Sequence, residues 1–202
     1  MSLLDRFVDN QLIWMPELGI GYFPVTASPY DGEYFDRIKK NSATDIGMLL
    51  QKARVNLVNK YTKGEVLDIG IGSGLFLCRK NTFGYDINPV AVDYLIEHRL
   101  YRHPLKGANS MTFWDSLEHI HDPTMHLQGA REYVFVSCPI YKDAEHILRS
   151  KHFRKDEHCW YWTDEGLRRF MAYFGFECLE SNDMETQIGR EDIGSYVFKR
   201  TP

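Results

Sequence analysis

The run FWDSLEHIHDP, Phe113 to Pro123, places Asp115, Glu118 and His119 at i, i+3 and i+4, with His121 close by and His126 just beyond. Carboxylates and imidazoles at this spacing support three kinds of chemistry. They can ligate a divalent cation, take a proton from a hydroxyl near neutral pH, or simply begin a helix. In the last case Asp-x-x-Glu before an apolar position is a capping box: Asp115 accepts the Glu118 amide and Glu118 reaches back. Asp122 followed by Pro123 reads the same way, as the cap and first-turn pair of a further short helix.

A second cluster lies in VLDIGIGSGLF, where Asp68 ends an apolar strand and Gly70, Gly72 and Gly74 turn the chain toward a helix. Glycines at that turn let backbone amides approach a ligand closely. The spacing is G-x-G-x-G, whereas a dinucleotide fingerprint needs its third glycine at position 75, which is Leu75. No Gly-Lys-Ser/Thr follows, so the loop is not a Walker A loop either.

The elements that position these residues follow from periodicity. A helix starts near Ser42, with Ser42 or Thr44 as N-cap, Ile46, Leu49, Leu50, Ala53, Leu57 and Tyr61 on one face, and Gly64 as the stop. Then come the strands EVLDI and TFGYD, a helix NPVAVDYLIEHR with Asn88 capping and Pro89 first, and the strands SMTFW and YVFVSCP. A helix TDEGLRRFMAYFG turns Leu167, Phe170, Met171 and Phe174 to one side and ends at Gly175, and FECLES and SYVFKR close the chain as strands. Short apolar strands alternating with helices predict an α/β fold with a mostly parallel sheet covered on both faces. Asp115, Glu118 and His119 then sit at the C-terminal end of a parallel strand, where open sheets bind ligands. Residues 1–41 show no sustained period and read as an irregular cap or lid, ahead of one domain over 42–202. The aperiodic stretch from Ile140 to Trp160 should overhang the site as its substrate-facing wall, with Trp160, Tyr161 and Trp162 packing it down or stacking on a planar substrate.

These motifs resemble those of the class I S-adenosylmethionine (SAM)-dependent methyltransferases. Their first motif, acidic-x-G-x-G-x-G, is matched by Asp68 to Gly74; GYDINP is similar to the second, with Asp86 at the residue that holds the ribose hydroxyls; FWDSLEHIHDP is similar to the fourth-strand motif. The resemblance covers about residues 42–200 and implies a Rossmann-like, doubly wound, seven-stranded sheet. It also implies SAM contacts at Asp68, Ile69, Gly70, Gly72, Gly74, Asp86, Ile87, Asn88, Trp114 and Asp115. Two departures stand out. Twelve positions separate Gly74 from Asp86, which shortens the first crossover helix to at most about two turns. The brief stretch from Leu100 to Asn109 shortens or removes the third strand, and with it the acid that often contacts adenine.

Within the family, small-RNA 3′-end 2′-O-methyltransferases and some quinone-biosynthesis O-methyltransferases carry an acidic-x-x-Glu-His motif that binds a divalent cation. Asp115, Glu118 and His119 match it, and in the small-RNA enzymes a segment resembling DEHCWYWT would make His158 the fourth ligand of Mg, Mn or Zn. Without a metal, Glu118 or His119, beside Asp115, would act as general base. The resemblance implies methyl transfer to an oxygen or nitrogen nucleophile. A small molecule is the expected acceptor, an RNA 3′ end the alternative, and a SAM-binding protein without turnover the remaining one.

Composition bounds the rest. A net charge of -4 and a pI near 6.1 argue against a broadly basic, duplex-binding surface, and RSKHFRK, Arg149 to Lys155, reads as a solvated loop. Cys78, Cys138, Cys159 and Cys178 have no CxxC spacing and read as reduced thiols. His98, His103, His146 and His152 read as surface or packing residues. The N-terminus lacks a basic region followed by an apolar one, and no apolar run reaches about 18 residues, so a cytoplasmic protein with no membrane span is expected.

Overall fold

The computed structural model describes residues 5–8, 12–25, 30 and 32–202. Strands β1 (Asp5–Val8), β2 (Leu12–Met15) and β3 (Ile20–Tyr22) run antiparallel and lead into helices α1 (Gly32–Ser42) and α2 (Asp45–Tyr61). The region read as an irregular cap thus holds three strands and a helix, and strands of three or four residues are too short to show a period. Thr44 caps α2 by accepting the Gly47 amide at 3.1 Å. The stripe expected along α2 is only half buried: Leu57 and Val58 pack on the sheet, while Ile46 and Leu49 are exposed.

From α2 the chain enters β4 (Val66–Ile69), makes one 3-10 turn over Leu75–Cys78, and returns as β5 (Thr82–Tyr85). The first crossover thus stays within the two turns expected as its limit. Asn88 caps α3 (Pro89–Glu97) by accepting the Val90 amide, as its Asn-Pro start suggests. The chain continues as β6 (Ala108–Trp114), α4 (Thr124–Gly129), β7 (Ala130–Pro139), α5 (Ala144–Arg149), β8 (Trp160–Trp162), α6 (Asp164–Tyr173), β9 (Phe176–Asn182), α7 (Met184–Gln187) and β10 (Ile193–Arg200).

The main sheet has the order β5-β4-β6-β7-β10-β9, with β10 antiparallel to both neighbours and the other pairs parallel. Among the described residues it has six strands rather than seven. The third strand of the expected pattern is reduced to a single bridge, Gly84 to Tyr101, because the loop there turns at once into a 3-10 turn at Pro104. Alternation along the strands divides the apolar residues between two cores. On β7, Val134, Val136 and Cys138 join the α4 and α6 side, and Phe135 joins the α2 side. A second sheet, β1-β2-β3-β8, is closed by pairing of Ile20–Tyr22 with Trp160–Trp162. Trp160 and Trp162 stack nearly parallel, 10° between planes, and both pack on Phe170 of α6. Of the two readings of the Trp160–Trp162 run, the structure takes the packing one.

Among the described residues, no helix is long and apolar enough to cross a membrane. The basic strip is paired with acids, Lys151 with Glu191 at 2.9 Å and Arg154 with Glu157 at 2.7 Å. All four cysteines are free thiols.

Candidate functional site

The turn after β4 needs its glycines. Gly70, Gly72 and Gly74 have φ of +76°, +53° and +77°, and a Cβ on Gly70 would lie 2.8 Å from the Ser116 Cβ. Behind this turn Asp68 is buried and accepts the Thr112 hydroxyl at 2.7 Å. Burial pushes its pKa up to about 7, with Thr112 and Arg54 offsetting only part of the effect. Asp86, one strand over, accepts the Ile71 amide at 2.9 Å and the Asn88 amide at 2.8 Å, which fixes its carboxylate at the end of β5. Burial raises its pKa too.

A cavity of about 690 Å³ opens over these strand ends. Asp68, Ile69, Gly70 and Gly72 line one part of it, Asp86, Ile87 and Asn88 a second, and Trp114, Asp115 and His119 a third. Gly74 lies off this lining. Helices α1 and α2 close the cavity from above through Ile38, Ile46 and Leu50.

Asp115 corrects the helix-start reading. Its backbone is left-handed, φ +56°, and its carboxylate caps nothing. It accepts from Arg54 at 2.8 Å and from Arg190 twice at 2.9 Å. Burial alone would raise its pKa, but Arg190 and Arg54 outweigh it and hold the carboxyl well below the usual range. The 3-10 turn Leu117–His119 that follows has no side-chain cap. Asp122 accepts the Thr124 amide at 2.9 Å, one residue ahead of Pro123, which takes the N-cap position of α4 expected for Asp122.

Glu118 is 1% exposed, and its Oε2 has no hydrogen-bond partner. Burial first, then Asp115, raises its pKa well above the carboxylate range, which favours the protonated acid. His119 Nδ1 lies 2.9 Å from the Glu157 carbonyl oxygen and 3.1 Å from the Tyr30 hydroxyl. A carbonyl only accepts, so Nδ1 carries the proton and Nε2 keeps the lone pair. Burial lowers the pKa of His119, leaving it neutral at pH 7. His158, forty residues on, comes to 4.6 Å between ring centroids, and its Nδ1 is buried and unpartnered. Ligand atoms of Glu118, His119 and His158 all lie within 4.8 Å of one another. The structure therefore joins three of the four predicted metal ligands. Asp115 is not among them, because the two arginines occupy it.

Sequence reasoning missed Arg54, Arg190 and Tyr30, which also line the cavity. No local signal marks them, since each acts across a separation of more than 60 residues in the chain. The segment 140–160, expected as the substrate-facing wall, contributes no residue to the cavity lining and packs behind the Leu117–His119 turn instead: Cys159 donates its amide to the Glu118 carbonyl at 2.7 Å, and Trp160 Nε1 donates to the Ile120 carbonyl at 2.9 Å.

Comparison with known proteins adds the family. A family profile for the methyltransferase domain matches residues 33–181. No curated protein matches the chain in sequence. Among solved structures, the fold resembles magnesium protoporphyrin IX methyltransferase from Synechocystis PCC 6803 with bound S-adenosylhomocysteine (SAH), with a TM-score of 0.62 and 13% identity over 85% of this chain and 96% of that one. A Thermotoga maritima SAM-dependent methyltransferase, described as a possible histamine N-methyltransferase, gives 0.57 and 15% over 84% and 99%. The methyltransferase domain of a bacterial Hen1 gives 0.51 and 17% over 78% and 100%.

Proposed function

The chain belongs to the methyltransferase-domain family of class I SAM-dependent enzymes, and from that membership we propose that it methylates an oxygen or nitrogen nucleophile of a small molecule. The carrying observation is His119 on the cavity wall, neutral, with its Nδ1 held 2.9 Å from the Glu157 carbonyl oxygen. SAM already holds an activated methyl group, so the protein's work is alignment and removal of a proton. In this reading the glycine turn and Asp68 take the methionine part, Asp86 takes the ribose diol, and Ile69, Ile87, Asn88 and Trp114 shape the walls. The acceptor enters near Asp115 and His119, and His119 receives its proton. Glu118, held protonated, is the poorer base of the two.

A small acceptor is favoured because the cavity of about 690 Å³ must also hold the cofactor, and because the basic strip is already paired with acids. Structural relatives include enzymes named for magnesium protoporphyrin IX and for 1,6-didemethyltoxoflavin, both small molecules.

The Glu118, His119 and His158 grouping supports a second reading, a metal-dependent RNA 3′-end 2′-O-methyltransferase. Its buried, unpartnered Oε2 and Nδ1 fit a divalent cation. Such an ion would polarise two substrate oxygens. The arginine pair on Asp115 weighs against a four-ligand set.

Calorimetry with SAH tests the cofactor site: the wild type should bind, and Asp86→Ala should bind at least about tenfold more weakly, the loss expected for charge-assisted contacts. No binding by well-folded wild type would sink the assignment. For the acceptor side, chelation should leave turnover intact while His119→Ala lowers kcat by about 10²- to 10⁴-fold. Activity that disappears on chelation and returns with Mn, together with loss in His158→Ala, would favour the metal reading instead.

A further inference from the structure

Arg190 and Arg54, which hold Asp115, both have donors to spare. Arg190 meets Asp115 end-on, Nη1 donating to Oδ2 and Nη2 to Oδ1, both at 2.9 Å, and Nη1 also donates to Glu185. A guanidinium carries five N–H groups in a fixed plane. The two that remain, Nε–H and the outer Nη2–H, lie parallel along the other edge and have no acceptor among the described residues. Nε is not sealed in the interior, and Arg190 is half-buried and lines the cavity. Arg54, also on the lining, donates through Nε and Nη2 to Glu185 and Asp115, which leaves its Nη1 without an acceptor and accessible.

We propose that the unpaired edge of Arg190, flanked by Arg54 Nη1, receives a carboxylate of the methyl acceptor, so that the substrate is a small acid whose nucleophile stands next to its carboxylate. The inference rests on the reading that the acceptor enters near Asp115 and His119. Two parallel N–H groups match the two oxygens of a carboxylate, and both bonds are charge-assisted. The Asp115 oxygens already accept three bonds from the arginines, so this wall offers donors rather than acceptors. Charge points the same way. Arg54, Arg190 and Asp115 face the cavity with a balance of one positive charge, while the compensating Glu185 is wholly buried and off the lining. Neutral His119 and protonated Glu118 add no negative charge. Asp115 is close enough for its charge to act on the His119 ring, which sets this edge beside the base.

The test titrates two probes, 2-hydroxybenzoate and its neutral counterpart 2-hydroxybenzyl alcohol, into ¹⁵N-labelled protein saturated with SAH. Wild type should bind the acid at least about tenfold more tightly, the worth of charge-assisted hydrogen bonds, and only the acid should shift the Arg190 Nε–H resonance. Arg190→Lys keeps a positive charge beside Asp115 but has no parallel pair. It should lose most of the preference for the acid while binding SAH as wild type does. Equal affinity for the two probes, no binding of 2-hydroxybenzoate, or an unmoved Nε–H resonance overturns the proposal. A variant that loses SAH affinity and keeps its preference for the acid overturns it as well, because the edge would then serve the cofactor. Failure of folded wild type to bind SAH would instead overturn the cofactor reading beneath it. Should Arg190→Lys unfold, the wild-type preference and the Nε–H shift decide alone.

Discussion

Asp68 shows what one buried acid can do to cofactor binding. It is 1% exposed, holds one side-chain hydrogen bond from Thr112, and has a pKa pushed by burial to about 7. Because the folded value lies above the ordinary one, its stabilising contribution is full at acid pH, below about 4. That contribution is lost as pH rises through about 7. A cofactor ammonium beside Asp68 favours the carboxylate and reverses this preference. SAH affinity should therefore rise with pH up to about 7 and level off above it, and binding below pH 7 should release a proton, measurable by calorimetry in buffers of different ionisation enthalpy. Asp68→Asn should remove both effects, and a flat wild-type profile would refute the contact. The position of Asp68 was legible in the sequence because strand, acid and glycines are contiguous. The fate of Asp115 was not, since its partners Arg54 and Arg190 stand 61 and 75 residues away. A local capping box was the best that neighbouring residues could suggest.

Among the elements, α6 depends on a contact that its own amphipathic pattern hides. Thr163 caps it, and Leu167, Phe170 and Met171 are buried as their spacing predicts. Gly166, however, faces the turn between β2 and β3, and a Cβ there would lie 2.0 Å from the Gly19 carbonyl oxygen. The helix can approach that closely only without a side chain, which allows Thr163 to donate its amide to Gly19 at 2.9 Å. Gly166→Ala should cost about 1–3 kcal/mol as overpacking against backbone. For a chain of this size that is a fall of about 2–12 °C in Tm by circular dichroism. An unchanged Tm would mean the turn yields freely. The same contrast explains which elements were legible. Helix α3 carries its own cap and proline, so it was read to within two residues. The second sheet joins Ile20–Tyr22 to Trp160–Trp162, a pairing across about 140 residues that no local pattern encodes.

At the scale of the whole molecule, four charges tie the start of the domain to its end. Arg54 of α2 donates to Glu185 of α7 at 2.7 and 3.0 Å and to Asp115 after β6 at 2.8 Å, and Arg190, just before β10, bridges Asp115 and Glu185. Two arginines and two carboxylates cancel, so the group is stable as a set and costly to break singly. Glu185 is fully buried, and Glu185→Gln would leave buried Arg54 and half-buried Arg190 facing one carboxylate. A loss of about 3–5 kcal/mol follows, roughly 10 °C or more in Tm. The exposed pair Lys151–Glu191 provides the control, since solvent screens it and Glu191→Gln should leave the Tm essentially unchanged. Removing a balanced pair separates charge from packing. Arg54→Met combined with Glu185→Met leaves Arg190 and Asp115 as a neutral, doubly hydrogen-bonded pair. That double variant should melt higher than Glu185→Gln alone, because no charge is left without a counterpart. If it melts lower, the side chains contribute through packing rather than charge balance, and Asp115 is not held where it is by the arginines.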